Sequence, residues 1–119
     1  MNKITLSGAL LAAMLLSACA PKAPEPLYYW GDYQEQLYGY YNKQSDPQKQ
    51  IGALSLIIEQ ARAKNKPVAP GLHAQLGLLY AQTGRTDMAF NQFAAEKQLF
   101  PESAAYMDFL MSKKKGVAQ

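Results

Sequence analysis

After residue 27, apolar residues recur at steps of three and four, which predicts an all-α domain of about five helices over residues 27–119. In the first, Tyr33, Leu37, Tyr40 and Tyr41 fall at i, i+4, i+7 and i+8 and form one face. Asp32 and Glu35 have capping-box spacing, which places its start at Tyr33. Asp46-Pro47 marks a second start, an N-cap followed by proline at the first helical position, and this helix should run to about Lys64. Ile51, Leu54, Ile58 and Ala61 form its stripe, which Ala53 and Ile57 broaden. The segment KNKPVAPG, from Lys64 to Gly71, carries two prolines and reads as a linker. Two further helices lie between His73 and Pro101 and turn at Gly84, with Thr86 placed to cap the second and Asp87 to favour its dipole. After Pro101, Ser103 is placed to cap a last helix with Tyr106, Phe109 and Leu110 on one face. Lys113, Lys114 and Lys115 complement its C-terminus, with Gly116 after them.

The spacing within the third and fourth helices is specific. Leu76-Gly77 is followed by Tyr80, then Gly84, Ala89, Phe93 and Pro101, steps that resemble the tetratricopeptide repeat. Gly77 and Ala89 are small where two helix backbones approach, and Tyr80 and Phe93 fill the space beside them. Gly84 permits the reversal, and Pro101 cannot extend the helix before it. Two residues depart from the pattern: His73 stands where Trp is preferred and Glu96 where a small residue is usual. A generic helical hairpin is the alternative. On the repeat reading, the first two helices form a degenerate hairpin. The last is a capping helix, because Leu110 replaces the Gly of a further repeat and the chain soon ends.

The first twenty residues change the picture. Lys3 precedes a largely apolar run, Ile4 to Leu16, too short to span a bilayer comfortably. Leu16-Ser17-Ala18-Cys19 resembles the bacterial lipobox, which makes residues 1–18 a signal peptide and Cys19 the lipid attachment site. An ordinary secretory peptide cleaved near Ala18 is the alternative. Ala20 occupies the position where lipoproteins kept at the inner membrane typically carry Asp, so the resemblance implies the outer membrane, on its periplasmic face. Residues 19–26 form a proline-rich tether whose extended form reaches roughly 20 Å, at about 3.1 Å per residue. The domain is thus expected close to the membrane.

Charge and composition exclude more than they assign. The whole chain carries 12 Lys or Arg against 9 Asp or Glu; without residues 1–18 the basic count falls by one, Lys3. That balance does not argue for nucleic acid. With Cys19 lipidated, no thiol is left for disulfide, metal or nucleophilic chemistry. His73 is the sole histidine, and no ligand spacing for a metal and no Gly-rich phosphate loop occurs. Glu35, Glu59, Glu96 and Asp108 read as solvated. No catalytic residue, metal or cofactor is expected, and the chain is not read as an enzyme.

The lipobox, the Trp30-Gly31-Asp32-Tyr33 segment, KNKPVAPG, LGLLYAQTG and FPESAAYMDFL together resemble a domain-of-unknown-function family of small Gram-negative lipoproteins. The resemblance implies a tetratricopeptide-like domain, often encoded beside a larger lipoprotein similar to the curli-secretion channel. It implies a protein-interaction or assembly subunit of an envelope complex, whose partners are other envelope proteins such as neighbouring lipoproteins. A free-standing adaptor for an extended peptide or a cell-wall enzyme is the alternative. Six of the eight tyrosines and the only tryptophan lie between Tyr28 and Tyr41. Tyr28, Tyr29 and Trp30 precede the first helix and Tyr38 leaves its stripe. These four are the candidate partner-binding residues, with closure of the hairpin's end as the competing role for Trp30.

Overall fold

The computed structural model describes residues 21–117, and the side chains up to residue 113. The apolar leader and Cys19 lie outside the described residues. The described residues form five α-helices in order: α1 Tyr33–Tyr41, α2 Pro47–Ala63, α3 Leu72–Gln82, α4 Thr86–Leu99 and α5 Ala104–Val117. A single 3-10 turn, Pro101–Ser103, separates the last two. The fold is all-α. Among the described residues the extended pairing is limited to one parallel bridge, Tyr29 with Val68. No helix among them is long and apolar enough to cross a membrane.

Local signals set two of the boundaries directly. Asp46 caps α2 by accepting a hydrogen bond from the Lys49 amide at 3.2 Å, and Pro47 opens the helix. Between α3 and α4, Gly84 takes φ +78°, a left-handed turn that costs glycine little. Three caps differ from expectation. Asp32, with φ −99° and ψ 24°, is neither helical nor extended and makes no cap bond; its carboxylate accepts from the Gln36 side chain instead. Arg85 rather than Thr86 holds the N-cap position of α4, so Thr86 is already helical. Ser103 donates back to the Phe100 carbonyl at 2.7 Å, closing the end of α4 rather than opening α5. Helix α5 also runs through Gly116 to Val117.

The core is the α3–α4 hairpin with α2 laid on it. Its partners pair in descending order, Gly71 and Ala74 with Glu96, His73 with Gln92, Gly77 with Ala89 and Phe93, so the two helices are antiparallel. Leu76, Gly77, Tyr80, Ala89 and Phe93 are all buried. A Cβ on Gly77 would stand 2.5 Å from the Phe93 ring and 3.1 Å from the Ala89 carbonyl. The ring of Phe93 therefore occupies the place a side chain would need. Pro101 follows the end of α4 and opens the 3-10 turn.

Three helices depart from their expected stripes, α2 the least because Ile57 belongs to its broadened face. In α2 the buried line is Ile51, Leu54, Ile57 and Ala61, with Ile58 half-buried at its edge. In α5 the buried residue is Met107, flanked by Leu110 and Met111, while Tyr106 and Phe109 are exposed. On α1, Tyr33 is buried and Leu37 and Tyr40 are half-buried, but Tyr41 faces solvent.

Candidate functional site

Residues 28–30 cross the structure as a short strap. The Tyr29 amide donates to the Pro67 carbonyl at 2.8 Å, which pins the strap to the α2–α3 linker. Side chains of an extended segment alternate sides, and these do. Tyr29 leans toward α2, where its hydroxyl donates to Gln60 Oε1 at 2.9 Å and the Lys64 ammonium lies 5.2 Å from its ring. Tyr28 meets Phe100 edge-on, with centroids 5.9 Å apart, and Trp30 at 6.5 Å. Trp30 in turn stacks on Tyr33 at 6.2 Å. The result is a row of rings, Phe100, Tyr28, Trp30, Tyr33, joining the end of α4 to the start of α1.

Of the four candidates, the structure brings Tyr28 and Trp30 together, sets Tyr29 beside them on the strap's other face, and leaves Tyr38 apart. Tyr28 and Tyr29 are half-buried. Trp30 is 36% exposed, with one face on Tyr33. Tyr38 is 65% exposed and joins none of these ring pairs. The strap thus folds back on the domain while leaving part of Trp30 in solvent.

Beneath the row lies a carboxylate that sequence reasoning placed in solvent. Glu96 is 3% exposed, and accepts from the Gly71 amide at 2.7 Å and the Ala74 amide at 3.3 Å. Gly71 is the N-cap of α3, with φ +92° and no side chain to cap with. Glu96 reaches across from α4 and supplies the missing acceptor, where the helix dipole also favours negative charge. Burial pushes the Tyr33 hydroxyl up to about 12, with the Glu96 charge adding to it and Tyr41 after that. The sequence signal for Glu96 was its departure from the small residue expected there.

Two other surfaces stand apart from the strap. An open cleft of about 380 Å³ lies between the ends of α1 and α3 and the start of α2, walled by Tyr40, Tyr41, Lys43 and Gln82. Gln82 Nε2 donates to the Tyr40 hydroxyl there at 2.9 Å. On α5, Tyr106 and Phe109 stack on each other in solvent. His73 Nδ1 is bonded to Gln92 Oε1 at 2.7 Å. Among the described residues, no group of three or more His, Cys, Asp or Glu is placed to hold a metal ion.

Searches of curated proteins and of solved structures found no match to the chain. Residues 27–110, from the start of the strap to the middle of α5, match the family described as domain of unknown function DUF4810, and the chain belongs to that family.

Proposed function

We propose that the chain is an outer-membrane lipoprotein, anchored through Cys19, whose tetratricopeptide-like domain serves as a protein-interaction or assembly subunit of an envelope complex. The observation that carries this reading is the distribution of aromatic rings. Trp30, Tyr38, Tyr41, Tyr106 and Phe109 are each at least a third exposed, on a helical domain whose core is already filled by Leu54, Ile57, Leu76, Leu79 and Phe93. Rings left in solvent are large contact areas of low entropic cost, the kind of residue that anchors interfaces. The Gly77–Phe93 packing supports the repeat assignment, since it places a small residue of one helix under the bulky residue of the next. Partners are expected among other envelope proteins, neighbouring lipoproteins included, with no cofactor and no catalytic residue. The test is recovery of the tagged full chain from solubilised outer membranes, with Cys19→Ser as the comparison. Co-purification of defined envelope proteins with the parent, lost when the anchor is removed, is the expected result. Palmitate-analogue labelling that persists in Cys19→Ser would sink the anchor, and a parent recovered alone would sink the assembly role.

A further inference from the structure

The outer face of α5 is a surface the core does not use. The helix docks through Met107, with Leu110 and Met111 beside it. Tyr106 and Phe109 lie outside that contact, 57% and 50% exposed, and stack with centroids 6.4 Å apart. The Lys113 ammonium sits 5.3 Å from the Phe109 ring. Tyr106, Phe109 and Lys113 follow one another at steps of three and four along one side of the helix, and Glu102 stands four residues before Tyr106 in the turn leading into it.

Read along that side, the residues are acidic, aromatic, aromatic and basic. Their order is symmetric about the point between residues 107 and 108, from which Glu102 and Lys113 are equally distant, as are Tyr106 and Phe109. A patch of this kind is its own complement when two copies run antiparallel, which is what a two-fold interface requires. Among the described residues neither Glu102 nor Lys113 takes part in an ion pair, whereas Asp108 is already bonded to Lys97 at 2.8 Å. Ala105 and Ser112, exposed beside the rings, are small enough to let a second helix approach.

We propose that this face binds a second copy of the chain, with the two α5 helices antiparallel. Glu102 of each copy then lies toward Lys113 of the other, and the rings of Tyr106 and Phe109 interleave about the two-fold axis. Removing four rings from water supplies the attraction. The charges set the direction, because a parallel pairing would place Glu102 on Glu102 and Lys113 on Lys113. The inference goes beyond the assembly role proposed above: it assigns Tyr106 and Phe109 to a second copy and leaves Trp30, Tyr38 and Tyr41 to carry that role.

Register-specific disulfide trapping tests it. The full chain is co-expressed in two tagged forms, one Tyr106→Cys and one Phe109→Cys, and membranes are oxidised; the parent chain, with Cys19 alone, sets the background. A disulfide between the differently tagged chains is expected, exceeding the yield of Tyr106→Cys with itself. Lys113→Glu in both forms should lower that yield roughly fivefold, because it turns two exposed attractions into repulsions. Adding Glu102→Lys should restore it to within about twofold of the starting level. No 106–109 disulfide, a stronger same-residue product, or a yield indifferent to charge reversal would overturn the proposal. Trapping of a different protein at this face would overturn it as well.

Discussion

Glu96 shows how one side chain can decide a helix's start. Its two oxygens take the amides of Gly71 and Ala74, both at the N-terminus of α3. Glu96→Ala leaves those donors without the acceptor and in a buried place, so the chain should lose about 2–4 kcal/mol, read from denaturant unfolding. Glu96→Gln keeps one acceptor oxygen and should lose about half as much. Equal stability of both variants and the parent would mean that water replaces the carboxylate at no cost. Tyr33, above it, makes a pH-dependent contribution. Below the ordinary tyrosine value of 10.0 the phenol is protonated in folded and unfolded chains alike. As pH rises from there toward about 12, the unfolded chain ionises while the folded one holds its proton. Stability therefore falls across that window, by up to about 1.4 kcal/mol per pH unit. Tyr33→Phe should flatten the fall in Tm between about pH 10 and about pH 11.5. A slope identical to the parent's would remove Tyr33 from the account.

At the scale of helices, the same substitution should have opposite signs in two places. Gly52 lies exposed in the middle of α2, and a Cβ there would meet nothing within 4 Å. Gly52→Ala should stabilise by about 0.5–1 kcal/mol, the ordinary gain of alanine in a helix. Gly77→Ala gains the same propensity but drives a methyl into the Phe93 ring and toward the Ala89 carbonyl. Overpacking of this kind costs about 1–3 kcal/mol, so the net change should be a loss. Thermal melts of the two variants decide it, and two gains would show that the hairpin opens freely. The contrast explains what was legible beforehand. Gly77, Ala89 and Phe93 sit in a fixed local pattern, and Asp46-Pro47 is a local cap, so both could be read from the chain. The phase of α5 could not, because the stripes 106/109/110 and 107/110/111 share Leu110. Only the docking of Met107 against the core chooses between them. Glu96 escaped for the same reason: its burial depends on amides that arrive from Gly71 and Ala74, more than twenty residues away in the chain.

Across the whole molecule, the strap joins parts that the helical hairpins leave separate. Tyr29 is held by the linker at Pro67 and by Gln60 of α2, while Tyr28 reaches Phe100 at the end of α4. Glu25, just before the strap, lies 3.5 Å from Lys66, an exposed pair worth little by itself. Residues 21–26 therefore enter the domain at the aromatic row, beside Tyr28, Tyr29 and Trp30. Trp30 serves both sides of the question raised by its position. Its ring stacks on Tyr33 and about a third of the residue is in solvent, so it can hold the row together and still touch a partner. Trp30→Ala should cost about 1–2 kcal/mol, less than a fully buried tryptophan because part of its surface is already wet. For a domain near 100 residues that lowers Tm by about 4–12 °C. Tyr38 offers the cleaner probe of a partner surface. It lies outside the row, so Tyr38→Ala should leave stability within about 0.5 kcal/mol of the parent. If Tyr38 belongs to the interface, partner recovery falls in that variant with no change in Tm. Trp30→Ala alone cannot separate the two roles, since unfolding and lost contact both reduce recovery. Trp30→Phe restores a ring over Tyr33 and should recover most of the lost Tm. Recovery of the partner by Trp30→Phe would assign Trp30 to holding the row, and its continued loss at a restored Tm would assign the exposed part of the indole to the interface.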